Sequence, residues 1–247
     1  MRAAVVVPAE QGEEAAAEML ELFPEGYVES RDGDSIELVA FTDEAGVERM
    51  RASYGDVRVE PVPAGWEDEW KRFHRPVEIG PLWVGPPWET PPNGLLPVVI
   101  DPGRAFGTGA HPTTRLCLEL LQDRERGSLV DLGCGSGVIA IAAVRLGYGP
   151  VFAVDMDESA IEATARNAAA NRVDVDARLL DLAREGPPLA DVAVANIDLR
   201  TISTLRPAST TLVTSGYYAG DRPEISGFEH VERRVQGEWA ADLFRRE

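Results

Sequence analysis

Seven residues in the middle of the chain, Asp131-Leu132-Gly133-Cys134-Gly135-Ser136-Gly137, could bring backbone amides close to a small ligand. An apolar strand pattern, Ser128–Val130, precedes them and an apolar helical pattern, Val138–Leu146, follows. In a strand–glycine turn–helix unit the ligand meets backbone N–H groups at the helix N-terminus. Glycine is needed there because a Cβ would block either the tight turn or the ligand. The segment therefore predicts a binding site for a small molecule.

The spacing of the glycines indicates which small molecule. A dinucleotide fingerprint, GxGxxG, would need a glycine at position 138, which is Val138. The chain instead has GxGxG, with Asp131 two positions before Gly133. That version is typical of S-adenosylmethionine sites, since this cofactor has no pyrophosphate to bind. We expect Asp131, Gly133, Gly135 and Gly137 to form the cofactor loop; a purely structural glycine turn is the alternative.

An acidic residue ends the next predicted strand. Asp155 follows Val151–Val154 and lies 22 residues after Gly133. A carboxylate at this position can accept hydrogen bonds from both hydroxyls of a ribose. Asp157, two residues further on, is better placed as the N-cap of the following helix. Asp155 is therefore the predicted ligand contact.

Two further side chains are candidates for catalysis. Asn196 ends the apolar strand pattern Val192–Ala195, and ligands of open α/β sheets lie at the carboxyl ends of strands. His111 lies in a loop with three glycines, Asp101–Thr114. The ring of His111 could be a general base or a structural group at a helix start, and the sequence leaves both interpretations open.

From residue 96 onward the pattern alternates between strands and helices, which predicts an α/β fold with a mostly parallel sheet covered on both faces. Predicted strands are Pro97–Ile100, Leu129–Leu132, Val151–Asp155, Val175–Leu179, Asp191–Ile197 and Thr210–Ser215; predicted helices are Thr113–Asp123, Gly137–Leu146 and Asp157–Asn171. Two extended runs, Phe228–Val235 and Glu238–Phe244, predict a closing antiparallel hairpin. Such a hairpin is typical of a Rossmann-like methyltransferase of class I.

The first 60 residues have the order β-α-β-β-α-β, which predicts a small α+β domain of the ferredoxin-like type. The expected elements are Ala3–Pro8, Glu10–Phe23, Tyr27–Arg31, Ser35–Thr42, Asp43–Ser53 and Val57–Val62. This part of the sequence contains no Cys, no His and no glycine-rich phosphate loop. We therefore expect 1–60 to be a recognition domain, 61–97 to be a Trp- and Pro-rich linker, and 98–247 to be the cofactor-binding domain.

Charge and composition narrow the function classes. The net charge of the 247-residue chain is −18, and residues 1–70 hold 18 Asp and Glu against 5 Arg, a net charge of −13. An acidic domain repels phosphate backbones, so we expect no direct binding of nucleic acid. It would attract a basic protein, although solubility alone could explain the charge.

Two cysteines without a Cys/His cluster predict neither a disulfide nor a metal site. No apolar run approaches a membrane span of about 20 residues or a signal peptide, so we expect a cytoplasmic protein. We also expect a monomer, although no sequence feature determines the oligomeric state.

Taken together, the segments Asp101–Thr114, Asp131–Gly137, Asp155 and Ala195–Ile197 resemble those of the ribosomal protein methyltransferase family of the PrmA type. The Trp-rich segment Trp66–Trp88 is similar to the linker of that family. The resemblance covers roughly residues 60–220. The segment between Asn196 and Ser215 is shorter than in the family, which suggests that one helix there is trimmed.

This resemblance implies that S-adenosylmethionine contacts Thr114, Gly133, Asp155 and Asn196, and that the loop with Phe106 and Gly107 takes part. It implies methylation of lysine side chains and of the N-terminal amine of a large-subunit ribosomal protein. Two alternatives stay open: methylation of another basic protein or a small molecule by the same core, and a non-catalytic binding protein that only keeps the fold. A separate 60-residue domain argues against a small-molecule enzyme.

Overall fold

The computed structural model describes residues 1–23, 27–61, 75–101 and 109–247. The chain divides into two compact units, Met1–Lys71 and Arg72–Glu247. The predicted contacts Phe106 and Gly107 and residues 62–74 of the predicted linker lie outside the described residues.

The first unit has the predicted ferredoxin-like order of elements. Its bounds are β1 Arg2–Pro8, α1 Gly12–Leu22, β2 Val28–Asp32, β3 Ser35–Phe41, α2 Glu44–Tyr54 and β4 Arg58–Glu60. The strands form one antiparallel sheet in the order β2-β3-β1-β4. The hairpin between β2 and β3 turns at Gly33, where the backbone has a φ of 58°. The order of elements and the topology agree with the prediction.

Alternation of apolar residues explains why one face of this sheet is buried. Residues Ala3, Val5 and Val7 of β1 and Ile36, Leu38 and Ala40 of β3 point to the same side, since side chains alternate along a strand. They pack with Met19 of α1 and Met50 of α2, both of which are fully buried. The two helices thus cover this face, and their apolar residues complete the small core.

The second unit begins with a three-stranded sheet, which the sequence did not predict. Its strands are β5 Val77–Ile79, β6 Leu82–Gly85 and β7 Leu96–Val99, in the order β5-β6-β7. Buried residues of this sheet, among them Leu82, Val84 and Val98, pack into the main core of the second unit. Residues 75–97 thus belong to this unit rather than to a separate linker, and β7 does not join the large sheet as the strand–helix alternation suggested.

The large sheet has seven strands in the order β10-β9-β8-β11-β12-β14-β13. Its elements are α3 Pro112–Gln122, β8 Leu129–Leu132, α4 Val138–Arg145, β9 Val151–Asp155, α5 Glu158–Asn171, β10 Asp176–Leu179, β11 Val192–Asn196, α6 Leu199–Thr204, β12 Thr211–Tyr218, β13 Phe228–Gln236 and β14 Trp239–Arg246. Strands β10, β9, β8, β11 and β12 are parallel, and β14 is antiparallel to both of its neighbours. This is the sheet of a class I methyltransferase, closed by the predicted hairpin.

The strand order explains where a ligand can bind. Strand β8 pairs with β9 on one side and β11 on the other. The chain therefore runs from β8 outward to β9 and β10, then returns to β11 and continues outward to β12 on the other side of β8. At such a switch point the connections diverge and leave a crevice at the carboxyl ends of the strands. Helix α6, after β11, has only six residues, in line with the trimmed helix expected there.

Candidate functional site

A cavity of about 550 Å³ lies at the carboxyl ends of β8, β9, β10 and β11. Sites for small molecules usually measure about 300–1,000 Å³, so this one can hold a nucleoside-sized ligand. Its wall is mostly apolar, with a few polar groups between the apolar side chains. The lining residues are Thr114, Gly133, Cys134, Gly135, Val138, Ile139, Asp155, Met156, Leu180, Asp181, Leu182, Ala183, Asn196, Ile197, Asp198 and Thr201.

The glycine loop after β8 turns sharply into α4. Gly133, Gly135 and Gly137 all have positive φ values, of 78°, 54° and 79°. These values favour glycine because a Cβ is strained in that region. A Cβ at Gly133 would also overlap the side chain of Ile197, which likewise lines the cavity. The loop therefore brings backbone, not side chains, to the cavity.

Asp155 lies at the end of β9, next to this loop. Its Oδ2 accepts a hydrogen bond from the backbone N–H of Gly135 at 3.0 Å, and its Oδ1 accepts one from Asp157 N at 3.1 Å. The carboxylate is half-buried and lines the cavity. Asp157 is the N-cap of α5, as predicted, since its Oδ1 accepts from Ser159 N at 2.8 Å. The two aspartates therefore have different tasks.

Asp131, a predicted cofactor contact, is buried beneath the loop and does not line the cavity. Its Oδ2 accepts from Ala140 N, the third residue of α4, at 3.1 Å. The N-cap of this helix, Gly137, has no side chain with which to cap it, so Asp131 on the neighbouring strand supplies the acceptor. Its other oxygen, Oδ1, has no hydrogen-bond partner in the described structure. Desolvation by burial raises the pKa of Asp131 to about 7. The hydrogen bond from Ala140 N has the opposite, smaller effect, because it stabilises the carboxylate.

Asn196 ends β11 and lines the same cavity as the glycine loop. Its Nδ2 donates to Thr114 Oγ1 at 3.3 Å, which orients the amide and leaves Oδ1 for a ligand. Thr114 is fully buried in the first turn of α3. The backbone after Asn196 is held by the neighbouring strand, because Ile197 N donates to Ser215 O at 3.1 Å.

Gly216 allows this close approach of β11 and β12. Its φ is 104°, and a Cβ there would overlap the backbone carbonyl of Ile197. The pairing of β12 with β14 shifts register at the same point, between Ser215 and Tyr217. The turn that places Asn196 therefore depends on a glycine in a β-bulge, which the sequence analysis did not single out.

His111 is the N-cap of α3. Its Nδ1 accepts from Thr113 N at 3.4 Å and lies 2.8 Å from Thr113 Oγ1. The ring packs edge-on against Trp239, with 4.7 Å between ring centroids. Burial lowers the pKa of His111, which favours the neutral ring that the cap needs. His111 is absent from the cavity lining, so the geometry favours the structural interpretation.

Five of the predicted site residues line one cavity: Thr114, Gly133, Gly135, Asp155 and Asn196. Gly137, Asp131 and His111 support the elements around it instead. Two parts of the cavity lining were not predicted from the sequence. They are the segment after β10, Leu180–Ala183, and the start of α6, with Asp198 and Thr201. The carboxyl-end rule, applied to β10 as it was to β9 and β11, would have found the first group.

Across the described residues, no group of His, Cys, Asp and Glu is arranged to hold a metal ion. The two cysteines, Cys117 and Cys134, are both buried and free. Likewise, none of the described helices combines the length and apolar character that a membrane span requires.

Comparison with known proteins agrees with this geometry. A family model described as ribosomal protein L11 methyltransferase (PrmA) matches residues 27–246. A protein of Pelobacter propionicus named ribosomal protein L11 methyltransferase is 40% identical to this chain, and the match covers 73% of this chain and 66% of that protein. A protein of the same name from Symbiobacterium thermophilum is 36% identical, and the match covers 83% of this chain and 71% of that protein. The chain thus spans about two thirds of the length of the first of these relatives.

A solved structure supports the same assignment. The crystal structure of a ribosomal protein L11 methylase from Lactobacillus delbrueckii subsp. bulgaricus has a TM-score of 0.61 and 28% identity, and the match covers 70% of this chain and 100% of that one. The family model covers well over half of the chain, including the glycine loop, Asp155 and Asn196. This chain therefore belongs to the PrmA family of ribosomal protein L11 methyltransferases.

Proposed function

We propose that this protein transfers a methyl group from S-adenosylmethionine to nitrogen atoms of a large-subunit ribosomal protein. The observation that carries the proposal is the single cavity that the glycine loop, Asp155 and Asn196 share at the carboxyl edge of the sheet. Names of the relatives supply the substrate class, L11. A reaction on this substrate would take place in the cytoplasm, where ribosomal proteins are made.

The residues present fit the cofactor. Gly133 and Gly135 keep the loop free of side chains where a ligand must approach the backbone. The Asp155 carboxylate, at the end of β9, can accept from the two ribose hydroxyls. Apolar side chains such as Met156 and Leu182 line the space around them, which suits a flat aromatic base. The cofactor, when bound, supplies an electrophilic methyl group on a sulfonium.

The chain's own contribution is to orient the acceptor and exclude water. A lysine amine has a reference pKa of about 10.4, so it must lose a proton before it can attack. Asn196 Oδ1, held in place by the bond from Nδ2 to Thr114, can accept from an N–H of the neutral amine. An amide does this without fixing a full positive charge, and partial desolvation of the amine lowers its pKa. With the proton released to solvent first, no strong base is needed.

The first unit is proposed to recruit the substrate. Residues 1–70 have a net charge of −13, which attracts a basic protein. This unit has its own core, and the described residues that line the cavity all belong to the second unit. Recognition and catalysis are therefore separable functions.

A shortened chain that begins at residue 72 tests this separation. It should bind S-adenosylmethionine in calorimetry with the affinity of the full chain, since the described cavity lies in the second unit. It should lose methylation of the ribosomal protein, measured by mass spectrometry with isotopically labelled cofactor. Unchanged methylation by the shortened chain would refute the recognition role, and absence of cofactor binding by the full chain would refute the enzyme itself.

A further inference from the structure

Strand β7 is an edge strand whose outer edge is completed by side chains instead of by another strand. Toward β6, Leu96 N donates to Pro81 O and Ile100 N to Gly85 O. Alternate residues along a strand point their backbone groups to opposite edges, so residues 97, 99 and 101 face away from β6. Buried backbone groups need partners. Here helices α4 and α5 provide them.

Each of these three residues meets one side chain. Arg145 Nε donates to Pro97 O at 2.9 Å. Asn171 pairs with Val99 as a strand would, accepting from Val99 N at 2.8 Å and donating to Val99 O at 2.6 Å. The Oδ1 atom of Asn167 accepts from Asp101 N at 3.2 Å.

Asn167 differs from the other two because its second hydrogen bond reaches the cofactor loop. Its Nδ2 donates to the backbone carbonyl of Ser136 at 2.9 Å. One turn earlier on α5, Thr164 Oγ1 donates to the carbonyl of Gly135 at 3.1 Å. Asn167 and Thr164 are 4% and 0% exposed, so these bonds are shielded from water. Together they set how the peptide planes of the glycine loop are turned.

We infer that Asn167 is a positioning residue that couples the glycine loop at Ser136 to the backbone at Asp101. This inference rests on the proposed function, since it assigns the glycine loop to the cofactor. A ligand that orders the loop then also orders residue 101, ten residues before His111, the N-cap of α3. Asn171, four residues along the same face of α5, holds Val99 but has no bond to the loop.

The pair Asn167 and Asn171 offers a matched experiment, because both side chains are 4% exposed on one helix. Asn167→Asp keeps the acceptor for Asp101 and loses the donor to Ser136. Asn171→Asp keeps the acceptor for Val99 and loses its donors to Val99 and Asn167. Both changes should lower the melting temperature. Only Asn167→Asp should weaken binding of S-adenosylhomocysteine, by about tenfold, the effect of one buried hydrogen bond; Asn171→Asp should stay within about twofold.

Hydrogen exchange at the Asp101 amide separates positioning from a merely structural role. In the wild type and in Asn171→Asp, saturating S-adenosylhomocysteine should slow this exchange. In Asn167→Asp, a concentration of S-adenosylhomocysteine that saturates this variant should leave the exchange rate of the Asp101 amide unchanged, because the hydrogen bond to Ser136 is gone. If the carboxylate introduced by Asn167→Asp prevents folding, the variant Asn167→Ser repeats the test without an added charge.

The outcomes distinguish the two levels of the proposal. Folded Asn167 variants that bind the ligand as the wild type does, with ligand-dependent protection at Asp101, overturn the inference alone. Equal loss of affinity in Asn167→Asp and Asn171→Asp also overturns it, since the effect would then come from general loosening of α5. A wild-type protein that does not bind the ligand overturns the proposed function and this inference with it.

Discussion

The side-chain amide of Asn196 donates to Thr114 Oγ1 across 3.3 Å, although the two residues are 82 positions apart in the chain. Thr114 is fully buried at the start of α3, and Asn196 ends β11. The bond therefore joins α3 to the carboxyl end of β11. Its role is to hold one orientation of the amide.

Thr114→Val keeps the shape of the side chain but removes the acceptor, so the Asn196 amide loses its orientation. We expect kcat to fall roughly five- to tenfold, the effect of about one hydrogen bond. Asn196→Ala should cost about 100-fold in kcat, because the acceptor amine loses its partner. In a double-mutant cycle, Thr114→Val should have no further effect once Asn196 is alanine. Additive effects would show that Thr114 acts independently of Asn196.

Asp155 and Asp157 form a second comparison. Asp155→Ala removes two expected charge-assisted hydrogen bonds to the ribose, each worth about 1.5–3 kcal/mol, so cofactor affinity should fall at least about 100-fold. Asp157→Ala removes only the cap of α5, which costs about 1 kcal/mol of stability, and should leave cofactor affinity unchanged. Calorimetry with S-adenosylmethionine and thermal unfolding measure the two effects. Tight binding by a folded Asp155→Ala protein would contradict the assignment.

Asp131 predicts a distinctive pH dependence of stability. Burial raises its pKa from 3.8 to about 7, so the folded state keeps a proton that the unfolded state releases near pH 4. The free energy of unfolding should therefore fall between about pH 4 and pH 7 because of this group. Asp131→Asn cannot ionise but keeps an acceptor for Ala140 N. It should be more stable than the wild type by about 4 kcal/mol at pH 8 and lose most of that advantage as the pH falls to about 4. Parallel stability curves for the two proteins would rule out the raised pKa.

His111 can be tested for capping against base catalysis. His111→Ala should cost about 1 kcal/mol of stability, and His111→Asn, which also caps helices, should recover most of it. The cap needs a neutral ring, and burial holds the pKa of His111 below its usual value. This stabilisation is thus present above the ordinary pKa of about 6.5 and is lost as the pH falls through the lower folded value. If His111→Asn is folded and binds cofactor but has lost methyl transfer, His111 is a base.

The acidic first unit predicts a salt dependence. The net charge of −13 on residues 1–70 should speed association with a basic substrate, and the Debye length shrinks from about 10 Å at 0.1 M salt to about 3 Å at 1 M. The association rate with the ribosomal protein should therefore fall as salt rises, since steering acts before contact. Cofactor affinity should change much less, because its hydrogen bonds are short-range. A salt-independent association rate would leave solubility as the role of this charge.

Much of the fold follows from local patterns in the sequence. The strand–glycine–helix unit at 128–146, the strand ending in Asp155 and the β-α-β-β-α-β order of the first unit all depend on neighbours along the chain. The buried apolar residues follow the alternation expected in strands and the periodicity expected in helices. These patterns predict the elements well, and the predicted and observed bounds of most elements differ by only a few residues. Asp157 as a helix cap is also a local relationship, and the structure confirms it.

The partners of individual side chains were decided only by tertiary structure. Asp131 has the position of a cofactor residue in the sequence, yet its carboxylate caps α4, because Gly137 offers no capping side chain and β8 passes beneath that helix end. Residues 75–97 contain seven prolines and two tryptophans but form a sheet, since their apolar side chains pack into a core that later helices supply. Asn167 meets Asp101 across 66 residues of sequence. Such contacts between residues distant in the chain depend on how the strands and helices pack. Local sequence patterns do not specify which residues will meet, so these contacts are determined only by the tertiary structure.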